Sequence, residues 1–274
     1  MLEIQQVSKT YRKKRWFGEH ETIEAVKNMS FTLKQGVCLA IVGESGSGKT
    51  TLGKLIIGLE KPDSGTIEFD HINLATTCKE EKKQLQKNIQ IVFQDCHSAV
   101  NPKMKIQDII AEPMKCHLQL TKQQQLEKIV ELLVRVGLSE RDAQKYPHQL
   151  SGGQLQRVTI ARAIATDPKL IILDESINSL DILVQISILK LLKQMQQERG
   201  FSYLFITHDL HAVSLFADEV AVVEHGEVVE YLHDVSQIPF MTHPTSQRLL
   251  ASRLPIDCKE LSLLQGESRE EQVS

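Results

Sequence analysis

Residues 43–50 read Gly-Glu-Ser-Gly-Ser-Gly-Lys-Thr. They fit the G-x-x-x-x-G-K-[ST] phosphate-binding pattern without a mismatch. No other stretch restricts the fold as much, because the pattern needs a strand before it and a helix after it. Residues 37–42 are a short apolar run of strand length. Residues 51–59 carry Leu52, Leu55, Ile56 and Leu59 at helical spacing, with Pro62 just beyond. The glycines let a row of backbone N–H groups curl into a nest for phosphate oxygens, and the helix N-terminus adds partial positive charge. Lys49 brings a full charge toward the terminal phosphates, and the Thr50 hydroxyl suits Mg²⁺. Gly43, Glu44, Ser45, Gly46, Ser47, Gly48, Lys49, Thr50 and the adjoining Thr51 are the candidate nucleotide contacts. The loop specifies a nucleotide. It does not separate kinase, GTPase and motor.

The rest of the composition narrows the partners. The chain has 274 residues, enough for one large domain or two small ones. Its net charge of −3 gives no global basic field for nucleic acid or anionic lipid. No apolar run approaches the roughly 18–20 residues that span a bilayer. The N-terminus has no basic segment followed by an apolar one, so no signal peptide is expected. The five cysteines, 38, 78, 96, 116 and 258, lack C-x-x-C spacing and read as reduced thiols. Work at a membrane would be from the cytoplasmic side and through a partner.

Along the chain, Leu2, Ile4 and Gln6 alternate with Glu3, Gln5 and Val7 as a weak strand. A polar and basic loop, residues 12–21, follows with Trp16 and Phe17 inside it. Residues 25–33 alternate again, and residues 62–65 are turn chemistry. These pieces suggest a small antiparallel sheet. The charged run 78–88 reads as a solvated helix face. Residues 105–145 look like a helical insert, with Leu126, Ile129, Val130, Leu133 and Val136 at helical spacing. Short apolar strands at 89–93, 170–173 and 201–207 alternate with helices, which indicates a mostly parallel sheet. Residues 182–199 read as an amphipathic helix, and His225-Gly226 as a hairpin turn. Roughly the last fifteen residues are polar and expected to be mobile.

Four residues join the loop chemically. Asp174, after an apolar strand, is the type of residue that helps hold Mg²⁺ in phosphate-loop proteins. Glu175 can act as general base toward a water at the γ-phosphate. His208 ends a strand and could contact that phosphate or orient the water. Gln94 also ends a strand and offers a carbonyl oxygen to Mg²⁺ or water. Strand ends on one side of a parallel sheet are where such folds hold ligands. Residues 150–154, Leu-Ser-Gly-Gly-Gln, add a second glycine pair at a helix start, with Ser151 at the N-cap. One ATP does not need two anion sites from one chain. A head-to-tail pair solves this, each ATP lying between the loop of one subunit and Ser151, Gly152, Gly153 and Gln154 of the other.

With these residues in place, residues 1–230 resemble the ATP-binding subunit of an ABC transporter. The resemblance implies an α/β fold: a P-loop, RecA-like, mostly parallel core, an N-terminal antiparallel β-subdomain and an inserted α-helical subdomain at about 95–166. Residues 231–274 would be a C-terminal extension. It implies ATP hydrolysis with Mg²⁺ held by Thr50, Gln94 and Asp174, with Glu175 as catalytic glutamate and His208 as switch histidine. Residues 179–181 match the D-loop, and Tyr11 takes the place of the aromatic that stacks on adenine, with Trp16 and Phe17 as rivals. The runs 93–95, 98–102 and 111–113, and Thr242-His243-Pro244-Thr245, resemble the dipeptide, oligopeptide and nickel importer branch, most of all its nickel-import second ATPase subunits. The implied partners are a second ATP-binding subunit, two transmembrane permease subunits and an extracytoplasmic solute-binding protein, with no nucleic acid, at the cytoplasmic face of the cell membrane. The branch implies a heterodimer, while the sequence leaves open homo- or heterodimer, and a metal chelate or a short peptide as cargo. Ser176-Ile177-Asn178 departs from the Pro-Thr-Ser common after the glutamate, but both acidic residues remain. Cys258 stands alone, so no iron–sulfur site is expected. A non-transport ABC ATPase, an unrelated phosphate-loop kinase or GTPase, and an inactive binding module are the rival readings.

Overall fold

The computed structural model describes residues 1–13, 21–177 and 180–251. Trp16, Phe17, Ser179, Cys258 and the expected mobile tail lie outside the described residues. The chain opens with β1 (Leu2–Lys13) and β2 (Glu21–Leu33), then β3 (Cys38–Val42), α1 (Lys49–Ile56), β4 (Ser64–Phe69) and the short β5 (Ile72–Asn73). Next come α2 (Lys79–Asn88), β6 (Ile89–Val92), α3 (Ile106–His117), α4 (Lys122–Arg135) and α5 (Gly152–Ile164). The last part holds β7 (Leu170–Asp174), α6 (Ile182–Arg199), β8 (Ser202–Thr207), α7 (Leu210–Phe216), β9 (Glu219–Glu224), β10 (Glu227–Leu232) and α8 (Pro244–Ala251).

Two sheets form, as the pattern predicts. One is antiparallel in the order β2-β1-β4-β5; the other runs β10-β9-β3-β8-β7-β6. In the second, β3 pairs in parallel with both β8 and β9, and β7 with both β6 and β8; only the β9–β10 hairpin is antiparallel. Its central strands are buried on both faces, which is why they read as unbroken apolar runs. Cys38, Ala40 and Val42 of β3 join one core, with Tyr203 and Phe205 of β8, the helical insert and α6. Leu39 and Ile41, with Leu204 and Ile206, join the other, with α1 and the antiparallel sheet. The phosphate loop therefore leaves a strand clamped between two cores.

Several local expectations shift. β1 is longer than the sequence suggests and continues to Lys13, so the loop between the first strands is shorter than residues 12–21. Its alternation breaks at Gln6, which has φ 50°; the register slips there and Val7, not Gln6, is buried beside Leu2 and Ile4. Ser64 and Gly65 lie in β4 and not in a turn. α1 stops at Ile56, because Gly58 takes φ 71°, a left-handed helix stop. Leu59 consequently leaves the apolar face and is exposed. In α4 the buried stripe is Ile129, Leu132 and Leu133, and Leu126 is exposed. The charged run is α2, with Leu85 its only buried residue, and it is capped by Cys78. α4 and α5 each start with a reciprocal capping box, Thr121 with Gln124 and Ser151 with Gln154, worth about 1 kcal/mol each.

Candidate functional site

The phosphate loop turns from β3 into α1 through Gly48, whose φ is 100°. A Cβ there would lie 1.8 Å from the Ala25 carbonyl oxygen, and one on Gly43 would lie 2.2 Å from that of Val223. Side chains are excluded on both counts, so β2 and the β9–β10 hairpin press on the loop from outside. The Gly226 N–H donates to the Ser47 carbonyl at 3.1 Å, and the Lys27 N–H to the Gly226 carbonyl at 2.8 Å. None of these hairpin contacts was legible in the sequence, since they join segments far apart in the chain.

Lys49 is buried, and its ammonium donates to the carbonyls of Gly43 and Glu44, both at 2.8 Å, and to Ser47 Oγ at 3.4 Å. Burial lowers its pKa, against the opposing pull of Glu175 and Asp174. A cation held over loop carbonyls is one whose partner can be exchanged for phosphate oxygens at little cost in desolvation. Across from it, Thr50 Oγ1 donates to Asp174 Oδ1 at 3.2 Å. Asp174 is buried at the end of β7, and burial raises its pKa, with the Thr50 hydrogen bond acting against that. Hydroxyl and carboxylate thus meet beside the loop, an oxygen pair suited to a hard divalent cation.

Glu175 follows with φ 45°, a left-handed backbone uncommon for a residue with a side chain. Its N–H donates to the Ile206 carbonyl at 2.9 Å, which prolongs the β7–β8 ladder and fixes the turn. Its Oε1 lies 3.5 Å from His208 Nδ1. Two strand ends so bring the candidate base and the candidate histidine together. Ser176, next in line, is buried with its hydroxyl unpaired among the described residues.

A cavity of about 330 Å³ joins Tyr11, Gly46, Lys49, Thr50, Thr51 and Glu175. Tyr11 is held at its edge by a hydrogen bond from its hydroxyl to the Glu60 carboxylate. Gln94 lies exposed past the end of β6, in a turn where Asp95 Oδ1 accepts from the His97 N–H at 2.9 Å. Residues 151–154 do not line this cavity, and no hydrogen bond joins them to the phosphate loop among the described residues. Gly152 is open to solvent at the start of α5. Cys96, two residues past Gln94, is buried with its thiol 4.0 Å from the Gly152 carbonyl, and the half-buried Arg162 guanidinium donates to the Ala99 carbonyl at 2.6 Å. The segment after Gln94 is thereby tied to α5 at two points, which sequence reasoning did not find.

A family model described as "ABC transporter" matches residues 26–178. The nickel import ATP-binding protein NikE of Escherichia coli O157:H7 is 43% identical over 230 residues, 84% of this chain and 86% of the relative. A dimeric, post-hydrolysis structure of the ATP-binding cassette MJ0796, bound to ADP and Pi, superposes with a TM-score of 0.75 at 32% identity, covering 84% of this chain and 97% of that one. CbiO1 from Clostridium perfringens, part of the ABC transporter complex cbiONQ, superposes with a TM-score of 0.72 at 30% identity, covering 96% and 98%.

Proposed function

The chain belongs to the ABC transporter family of ATP-binding domains, and from that premise we propose that it is the ATP-hydrolysing subunit of an importer for nickel or a related transition-metal chelate. The observation that carries the cargo is the 43% identity to a nickel import ATP-binding protein across 84% of the chain. Among the described residues there is no cluster of three or more metal-ligating side chains; in this reading the cargo is selected by other subunits. No described helix is long and apolar enough to cross a membrane. Two permease subunits and a solute-binding protein would complete the importer, with this chain at the cytoplasmic face.

The side chains divide the work as follows. The loop N–H groups and Lys49 bind the β- and γ-phosphates, Lys49 leaving the Gly43 and Glu44 carbonyls to do so. Tyr11 stacks on the adenine. Mg²⁺, when bound, supplies positive charge at the phosphate oxygens; Thr50, Asp174 and Gln94 would hold it, and the Thr50–Asp174 pair fits that role. Glu175 takes a proton from the attacking water, and His208, 3.5 Å away, orients the water or the phosphate. Ser151, Gly152, Gly153 and Gln154 do not line this cavity and serve the ATP of a second ATP-binding subunit, which the dimeric state of the MJ0796 cassette supports. Contacts to the γ-phosphate close the pair, and their loss on hydrolysis reopens it.

Uptake of radioactive nickel tests the cargo. Cells lacking this chain should lose high-affinity Ni²⁺ uptake and regain it with the wild-type chain but not with Glu175→Gln. Thr242-His243-Pro244-Thr245 also fits a short-peptide importer. Loss of labelled dipeptide uptake with nickel uptake intact would replace nickel by peptide.

A further inference from the structure

The helix α8 reaches back to the phosphate loop. Its anchor is Glu230 of β10, whose carboxylate accepts from the Thr242 N–H at 2.8 Å, the Thr242 hydroxyl at 3.2 Å, the His243 N–H at 3.3 Å and the Ser246 hydroxyl. Thr245, Ser246 and Leu249 are buried. A helix fixed in this way presents Arg248 at a set position. Arg248 Nε lies 3.3 Å from Glu44 Oε1, while Nη2 donates to Glu224 Oε1 at 2.7 Å and to Thr245 Oγ1 at 3.1 Å. Glu224 ends β9, directly after Val223, whose carbonyl abuts Gly43.

Glu44 is the second residue of the phosphate loop. Its carbonyl holds Lys49 and also accepts the Ser47 N–H at 3.2 Å. Its carboxylate belongs to a loop read as binding a polyanion, and an unpaired negative charge on that loop would repel the ligand. We propose that Arg248 is a positioning residue for nucleotide binding: by pairing with Glu44 it offsets that repulsion and makes the C-terminal helix a determinant of ATP affinity. The inference rests on the ATP-binding reading above. Both side chains are more than half exposed, 55% and 60%, so the effect is that of a surface ion pair and fades with salt.

The test is a titration of the purified full chain with Mg²⁺ and a non-hydrolysable ATP analogue, at low and at high ionic strength. Arg248→Ala should weaken binding about two- to fivefold at low salt and little at high salt. In a Glu44→Gln background, Arg248→Ala should have no further effect, and Glu44→Gln should bind more tightly than Arg248→Ala. Thermal midpoints measured alongside separate this from simple loss of α8, which would weaken binding in both backgrounds. Wild-type affinity in Arg248→Ala at low salt, or a loss that persists with Glu44→Gln, overturns the inference. Absence of analogue binding by the wild-type chain overturns instead the ATP-binding reading on which it rests.

Discussion

At the scale of single residues, the buried Ser176 and the half-buried Asp218 leave their polar groups in opposite states. The Ser176 hydroxyl is buried without a partner among the described residues, so Ser176→Ala should raise stability by about 1 kcal/mol, or about 2–4 °C in thermal midpoint. A lowered midpoint would show that the hydroxyl has a partner. Asp218 is fully engaged. It accepts from the Cys38 N–H at 2.8 Å, Gln196 Nε2 at 2.7 Å and Lys193 Nζ at 2.7 Å, tying the start of β9 to β3 and α6. Burial pushes its carboxyl up, but Lys193, the Cys38 N–H and Gln196 outweigh that and hold it below the usual range. A pKa lower in the folded than in the unfolded state means stability that is present above the unfolded value, about 3.9, and lost as pH falls through the folded one. Asp218→Asn should thus lower the urea midpoint at pH 7 and flatten its decline in acid. Equal acid slopes for the two proteins would contradict the linkage. The Thr50–Asp174 pairing was legible in the sequence, because two motifs each demanded a metal-facing oxygen. The left-handed turn at Glu175 was not, because nothing in the local composition signals positive φ at a glutamate.

At the scale of elements, strand and helix types follow from apolar period, whereas their ends follow from backbone geometry. That is why the stripe in residues 51–59 led three residues too far, to Leu59, past the end of α1 at Ile56 and the stop at Gly58. The same reasoning placed α6 at residues 182–199, where Asp181 caps the start and Gly200 ends it. The start of α5 is the element on which the second half of the proposed ATP site depends. A Cβ on Gly152 meets nothing within 4 Å, whereas one on Gly153 would lie 3.0 Å from Val184 Cγ1. For Gly153→Ala, Val184 of α6 must give by a few tenths of an ångström, so this substitution should impair function more than Gly152→Ala. In an assembled pair, photolabelling with an azido-ATP should locate each effect. Lys49→Ala should remove label from this chain's loop, and Gly153→Ala should weaken labelling of the partner's. If Gly153→Ala depresses only this chain's own label, the shared-site reading fails.

At the scale of the whole molecule, the two sheets were legible, since alternating strands and helices leave few arrangements for a parallel sheet, whereas the split of the interior into two cores was not. The contact of α8 with the phosphate loop was not. Glu44 and Arg248 are separated by 204 residues, and neither carries a local pattern that points to the other. What the molecule builds is a loop held from outside by a hairpin and a C-terminal helix, facing a carboxylate and a histidine set at adjacent strand ends. The assembly is that of an ABC-type ATPase, and removal of Glu175 should separate binding from turnover. The decisive measurement is phosphate release by the purified transporter complex containing this chain, wild type against Glu175→Gln, with ATP affinity measured in parallel. We expect turnover to fall about 10²- to 10⁴-fold while ATP is still bound. Undiminished turnover in Glu175→Gln, or failure of the wild-type complex to bind ATP, would contradict it.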